Sequence, residues 1–324
     1  MYYQDIMQSL DSIRKDYRLI DGIWRNNKIY SDSQMQTSDT FDFKWKKRET
    51  YESDSFHQKT YQWLFDKYFG DDVKDTCKFL NLEGKNILDA GCGAGFSALL
   101  LFGDALNDVH YLGVDISGAV DIAKKRFAEA DVKGEFLQTS LTDLPFTEPL
   151  FDVIFSEGVL HHTDSTEASF RYLVHFLRPN GRILFYVYRK KSAIREYTDD
   201  FIREALKDKS NEESWKALEP LTKLGKALGE LNCKIHIPED IELLGIKAGE
   251  MDVQRFFYYH VCKAFYSEDF SLDEMNHVNY DWFRPLNCHR HTEEEVRQWC
   301  ESEGLEVERM HIELSGITTI ARKV

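Results

Sequence analysis

The 324 residues suffice for two small domains or for one α/β domain with a large insertion, and 42% hydrophobic with 14% aromatic content excludes a disordered or fibrous chain. A formal charge of −15, from 41 Lys and Arg against 56 Asp and Glu, repels phosphate backbones and anionic lipid surfaces, so no nucleic-acid partner is expected. No run reaches the roughly 18 apolar residues of a membrane span; with no CxxC pair among Cys77, Cys92, Cys233, Cys262, Cys288 and Cys300, this predicts a soluble, cytoplasmic protein with no membrane association.

Residues 1 to about 80 have little strand character and read as helices and a lead-in loop; charges throughout residues 1–20 leave no apolar stretch for a secretion signal. Phe41, Phe43 and Trp45 alternate with charged residues, and residues 51–69 carry apolar side chains at near-helical spacing. Residues 86–189 then alternate short β-branched runs with helical stretches. NILDA, VHYLGVDI, GEFLQTS, FDVIFSE and RILFYVY read as five strands, the last after a stop signal at Arg178-Pro179-Asn180-Gly181. Such alternation is the mark of parallel βαβ units, whose ligands sit at the carboxyl ends of the strands.

Roughly 100 residues, from Arg189 to about Arg290, interrupt the alternation. Trp215, Leu218, Leu221, Leu224, Leu228 and Leu231, and again Val253, Phe256, Phe257, His260, Val261, Ala264 and Phe265, recur at threes and fours and predict two amphipathic helices. HTEEEVRQWCESEG follows as a capped helix, with Thr292 as N-cap and Glu295 three residues on, and then LEVERMHIEL and GITTIARK as an antiparallel pair. The expected organisation is a helical lead-in (1–80), an α/β domain (81–190 and 291–324) and a helical substrate cap (191–290).

The strongest chemical signal is Asp89-Ala90-Gly91-Cys92-Gly93-Ala94-Gly95, ending the first of those strands and opening a helix. Glycines let backbone approach a ligand around a tight turn, and a helix N-terminus offers N–H groups to an anion. The dinucleotide fingerprint needs a third glycine where this chain has Phe96, which argues against a nicotinamide cofactor. Asp115, at the end of VHYLGVD, suits a pair of ribose hydroxyls.

In LDAGCGAG, GVDIS, residues 138–146 (QTSLTDLPF), FDVIFSEGVLHHT and LRPNGRILFYVYR, taken in order, the chain resembles the class I S-adenosylmethionine-dependent methyltransferases. The resemblance implies a Rossmann-like, seven-stranded, mostly parallel sheet with an antiparallel last strand, here with a helical N-terminal segment and a helical cap insertion. It implies S-adenosylmethionine as cofactor, with Asp89, Gly91 and Gly93 at its methionine portion, Asp115 on the ribose, and Ile116, Ser140 and Leu141 around the adenine. Where the family commonly has an aspartate, this chain has Ser140. Glu157, Gly158 and Val159, with His161 and His162 beyond, would floor the site beside the transferred methyl.

Methyl transfer from a sulfonium is an in-line displacement that needs collinear alignment in a dry pocket, and aromatic faces stabilise the cation. A base is needed only if the acceptor must lose a proton. Tyr188, His260, His289 and His291 are the candidates, with His289 preferred, while His161 and His162 read as packing under the sheet edge. Cys288 and His291 lack a second pair at zinc spacing, so no metal is expected, although Cys233, Cys262 and Cys288 leave a thiol or arsenite acceptor open. The expected acceptor is a small molecule; a protein or tRNA acceptor, or cofactor binding without catalysis, are the alternatives, and Arg189-Lys190-Lys191 reads as a solvated strand end.

Overall fold

The computed structural model describes residues 17–26, 28–70 and 79–324; the start of the expected lead-in and Cys77 lie outside them. Two four-residue strands, β1 (Tyr17–Ile20) and β2 (Ile23–Asn26), form a hairpin before any helix. Asp21 and Gly22 join them with φ of 50° and 70°, the two positive dihedrals of a type I′ turn. Helices α1 (Asp32–Lys46) and α2 (Asp54–Tyr68) follow, each N-capped by a serine, Ser31 and Ser53.

The α/β core runs β3 (Asn86–Ala90), α3 (Phe96–Phe102), β4 (His110–Asp115), α4 (Ala119–Glu129), β5 (Glu135–Gln138), β6 (Phe151–Glu157), α5 (Thr166–His175) and β7 (Leu177–Tyr188). After the insertion come α10 (Glu293–Ser302), β10 (Leu305–Ile312) and β11 (Gly316–Lys323). The strands form one sheet in the order β1-β2-β5-β4-β3-β6-β7-β11-β10, with β11 antiparallel to both neighbours. Nine strands replace the expected seven, because the N-terminal hairpin extends the edge, with β2 parallel to β5. Successive residues serve opposite faces: Leu88 and Ile154 join Phe170 and Trp299 on one side, Ile87 and Val153 join Tyr111 and Phe127 on the other.

Residues 178–181 prove not to be a break. They lie within β7, where Phe151 pairs with Leu177 and Val153 already pairs with Arg182, so the extra residues bulge out and Asn180 takes a φ of 62°.

The insertion holds more than two helices. It contains α6 (Ala193–Leu206), α7 (Asn211–Glu230), a hairpin of β8 (Lys234–Ile237) and β9 (Gly249–Asp252), α8 (Val253–His260) and α9 (Leu272–Phe283). Helix α8 stops at His260 rather than continuing to Phe265, and Gln254 Nε2 donates to the Ala264 carbonyl 2.7 Å away, fastening the segment beyond it. Trp215, Leu218, Tyr280, Trp282 and Phe283 pack with Tyr186 and Tyr188 at the end of β7 into a separate apolar cluster, which seats the insertion over the carboxyl ends of the strands.

Candidate active site

The strand order reverses between β3 and β6, and there the carboxyl ends of β3 to β6 open into a cavity of about 840 Å³. Asp89, Gly91, Gly93, Asp115, Ile116, Ser140, Leu141, Glu157 and Gly158 all line it. At Gly91 φ is 88°, and a Cβ there would lie 2.3 Å from Val159 Cγ1. A Cβ on Gly93, at φ 50°, would meet the Trp45 indole nitrogen at 2.8 Å. Gly91→Ala is therefore expected to cost about 1–3 kcal/mol and to abolish cofactor-induced stabilisation, checked by melting with and without ligand; an unaltered ligand shift would mean that this turn does not shape the site.

The turn supplies space more than donors. The amides of Gly91 and Cys92 both donate to the Val114 carbonyl, at 2.7 and 2.9 Å, and that of Gly93 donates to Asp115 Oδ2 at 2.9 Å. A pyrophosphate would find these three turn amides already engaged. Asp115 Oδ1 accepts from the Ser117 amide at 2.8 Å and hydroxyl at 2.7 Å, which leaves the carboxylate about one of its four lone-pair positions for a ligand hydroxyl. Burial raises its pKa against those hydrogen bonds.

Asp89 is buried and accepts from the Tyr111 hydroxyl at 2.6 Å. Burial pushes its pKa up to about 7, with Asp115 and Glu157 adding to the rise against the Tyr111 hydrogen bond. Glu157 is held by Lys67, whose ammonium forms a buried ion pair with Oε1, and by the Tyr68 hydroxyl, 2.7 Å from Oε2. Asp89 and Asp115 beside one glycine turn, with Glu157 already paired to Lys67, suit a cationic ligand and disfavour an anionic one. An adenosyl sulfonium bearing an ammonium and two ribose hydroxyls fits this donor set.

The wall facing the strand ends is aromatic: Trp45, Phe56 and Trp63 from the lead-in helices, Tyr258, Tyr259 and Trp282 from the insertion. Of the four candidate bases only Tyr188 lines the cavity. Its ring stacks on His161 at 3.6 Å between centroids, and its hydroxyl donates to Asp281 Oδ2 at 3.2 Å. Burial, followed by the Asp281 charge, raises its pKa well above the ordinary value, so it is a neutral donor rather than a base. Asp281 is held by Lys44 Nζ at 2.5 Å; burial raises its pKa, but Lys44, His162 and Lys263 outweigh that and keep it ionised.

His289 does not line this cavity. The His289 amide donates to His161 O in the turn after β6, the His289 ring nitrogen Nε2 lies 3.0 Å from the Thr163 carbonyl, and the His291 amide donates to Tyr188 O at the end of β7. His260 is turned into a smaller adjoining cavity of about 340 Å³ bordered by Arg189, Lys190 and Leu243, its pKa lowered by burial. His291 packs edge-on against Trp299, and burial brings its pKa to about 4 despite nearby Glu295. His162 does reach the main cavity with its ring, but Nδ1 is engaged 2.7 Å from the Asn287 carbonyl and Nε2 is buried without a partner.

The sequence reading missed Lys67, Lys263, His277 and Asp281 as site residues and left Trp282 as an aromatic more often core than site. Three of these sit on α9, whose capping box, Ser271 with Glu274, was a legible start signal. From that start, His277 and Asp281 fall one turn apart on one face.

Residues 88–185 match the family described as a methyltransferase domain. The tRNA U34 carboxymethyltransferase of Hydrogenovibrio crunogenus is 34% identical over 109 residues, 32% of each chain. The phthiotriol/phenolphthiotriol dimycocerosates methyltransferase of Mycobacterium leprae is 30% identical over 139 residues, 43% of this chain and 50% of its own, and the ubiquinone biosynthesis O-methyltransferase of Marinobacter nauticus 32% over 108 residues, 32% and 44%. The chain thus spans half or less of the length of these relatives. The structure of S-adenosylmethionine-bound magnesium protoporphyrin IX methyltransferase from Synechocystis superimposes with a TM-score of 0.47 at 13% identity, covering 92% of this chain and 100% of that one. Residues 88–185 match a methyltransferase domain, and in order, spacing and placement of their motifs they are similar to the class I S-adenosylmethionine-dependent methyltransferases.

Proposed function

We propose that this chain transfers the methyl group of S-adenosylmethionine to a small-molecule acceptor bound beneath the insertion. What carries the reading is that nine cofactor-type positions on four strand ends share one cavity with an aromatic wall from the lead-in and the insertion. Asp89 and the Gly91–Gly93 turn would hold the methionine portion, Asp115 the ribose, and Ile116, Ser140 and Leu141 the adenine. The cofactor supplies an electrophilic methyl; the chain's part is to orient an acceptor atom behind it and to exclude water. Trp63, Tyr258, Tyr259 and Trp282 offer apolar surface and π-faces for both tasks.

For an acceptor that must lose a proton, His277 is the base we favour. The Thr50 hydroxyl donates to Lys47 O at 2.7 Å, so its oxygen accepts from His277 Nδ1, also at 2.7 Å, which puts the ring lone pair on Nε2. Burial and Lys44 keep the imidazole neutral, and the ring lines the cavity between Trp45, Tyr51 and Phe56.

The test is a screen with methyl-labelled cofactor against small metabolites, thiols, arsenite and total tRNA. Label in a small organic product supports the proposal; label in tRNA overturns the acceptor class, and binding without turnover on any fraction overturns catalysis. Asp115→Ala should remove the thermal stabilisation given by S-adenosylmethionine, and an unchanged shift would put the ribose elsewhere.

A further inference from the structure

The cavity is polarised. Asp89, Asp115 and Glu157 gather at the strand ends, whereas Lys191, Arg195, Arg255 and Lys263 enter from the insertion. Arg195, Asp281 and Glu313, which also line the cavity, are already answered. Arg195 is clamped to Asp199, with Nη2 to Oδ2 at 2.9 Å, and Asp281 is paired with Lys44. Glu313 accepts from Trp63 Nε1 at 3.3 Å and Ser315 Oγ at 2.9 Å, and approaches His311 at 3.3 Å.

Three cations are left without a carboxylate partner among the described residues. Lys263 is 6% exposed and lies 4.6 Å above the Trp282 ring, its ammonium engaged in no hydrogen bond or ion pair. Lys191 stands over the same ring at 5.4 Å and donates only to the carbonyls of Leu314 and Ser315, the latter at 2.7 Å. Arg255 flanks Tyr258 and donates to the Tyr266 carbonyl at 3.3 Å. Lys191 is the last residue of the run expected to be a solvated strand end; it turns inward, while Arg189 and Lys190 border the adjoining cavity, which shares Lys191, Tyr259 and Leu314.

Burying an unpaired ammonium is costly, and in a chain of net charge −15 carboxylates to neutralise it are plentiful. None contacts Lys263 here, and its nearest acids, Asp281 and Asp199, are already paired with Lys44 and Arg195, so the compensating charge arrives with a ligand. We propose that the acceptor carries an anionic group, a carboxylate or a phosphate, on an aromatic or apolar body, and that Lys263, Lys191 and Arg255 receive it. The inference rests on the proposed methyl transfer for the word acceptor, but not for the site. The charge pattern also orients binding: the basic end repels an adenosyl sulfonium and the acidic end repels the anion, so each ligand is excluded from the other's place.

The experiment measures binding of 2-naphthoate, 2-naphthyl phosphate and neutral 2-naphthamide to the full chain saturated with S-adenosylhomocysteine, whose own binding is titrated separately. At least one acid should bind about tenfold or more tighter than the amide, as expected for hydrogen bonds to a charged group. Lys263→Gln and Arg255→Gln should each erase most of that preference while leaving S-adenosylhomocysteine binding intact. The second variant guards against misfolding, since Arg255 is only half-buried. Whichever acid is preferred identifies carboxylate or phosphate as the group received. Absence of any preference, whether all three probes bind alike or none binds, overturns the proposal, as does a preference that survives both variants. Preference without S-adenosylhomocysteine binding upholds the anion site and sinks the methyltransferase reading instead.

Discussion

Lys67→Met should cost the folded chain about 3–5 kcal/mol, more than the change expected for Gly91→Ala. Lys67 is fully buried on α2, with its ammonium 3.4 Å from the Trp63 ring centroid and 3.9 Å from that of Tyr186, and it neutralises Glu157 at the end of β6. Burial brings the pKa of the lysine down to about 8, against the pull of Glu157, so the pair is held at the expense of solvation. Removing the cation strands a carboxylate that is 8% exposed, with the Tyr68 hydroxyl alone to answer it.

Lys67→Met combined with Glu157→Gln removes both charges and should recover stability to within about 1–2 kcal/mol of the parent, since the cation–π contacts are still lost. Denaturant unfolding of the two single variants and the double variant measures this coupling. A Lys67→Met chain within about 0.5 kcal/mol of the parent would mean that the pair contributes nothing net. The pair also explains why the lead-in belongs to the site: α2 brings Phe56, Thr60 and Trp63 to the cavity wall, and Lys67 fastens that helix to the strand whose end lies under it.

How far the sequence could be read follows from where its information is local. The β3 to β7 alternation, the Asp89 to Gly95 turn and the Asp115 terminus are short runs whose periodicity and glycine content survive folding unchanged, and the nine positions that the family resemblance implied for the cofactor line one cavity. The N-terminal hairpin was missed although Asp21-Gly22 is a strong turn signal, because four-residue strands with one buried face are too short to show a period. The cap was legible only in part, since α6 buries Arg195, Asp199 and Arg203 as well as apolar residues, so its inner face does not read as hydrophobic. Histidines were ranked by titration range, whereas the fold sorted them by backbone contacts: His289 is held outside the site by the carbonyls of His161 and Thr163. The buried cations were invisible for the same reason, a lone lysine in a helical stretch being surface by default.

The second large effect is on cofactor affinity and its dependence on pH. With its pKa pushed up to about 7, Asp89 is largely protonated at pH 6 and largely ionised at pH 8. The ionised form is the one that attracts a cationic ligand, so affinity for S-adenosylmethionine should rise about tenfold between those two values, following the ionised fraction. Asp89→Asn should bind about 10–100 times more weakly at pH 8, the range for loss of a charged hydrogen-bond partner, and should lack the Asp89 component of the pH profile, which separates this group from any titration of the ligand. Stability should move the other way. A carboxyl with a raised folded-state pKa weakens the fold above its unfolded value near 4, increasingly up to about 7, because the ionised form is the one burial disfavours. Asparagine keeps an oxygen for the Tyr111 hydroxyl and sheds that penalty. The ligand-free Asp89→Asn chain should therefore be more stable than the parent at pH 8, by at most about 4 kcal/mol, with the advantage gone by pH 4. Urea unfolding at the two pH values, beside calorimetric titration of the cofactor, reads both halves. A variant that is no more stable, or a parent whose affinity ignores pH, would remove the strain at Asp89 from the account of how this turn selects a cation.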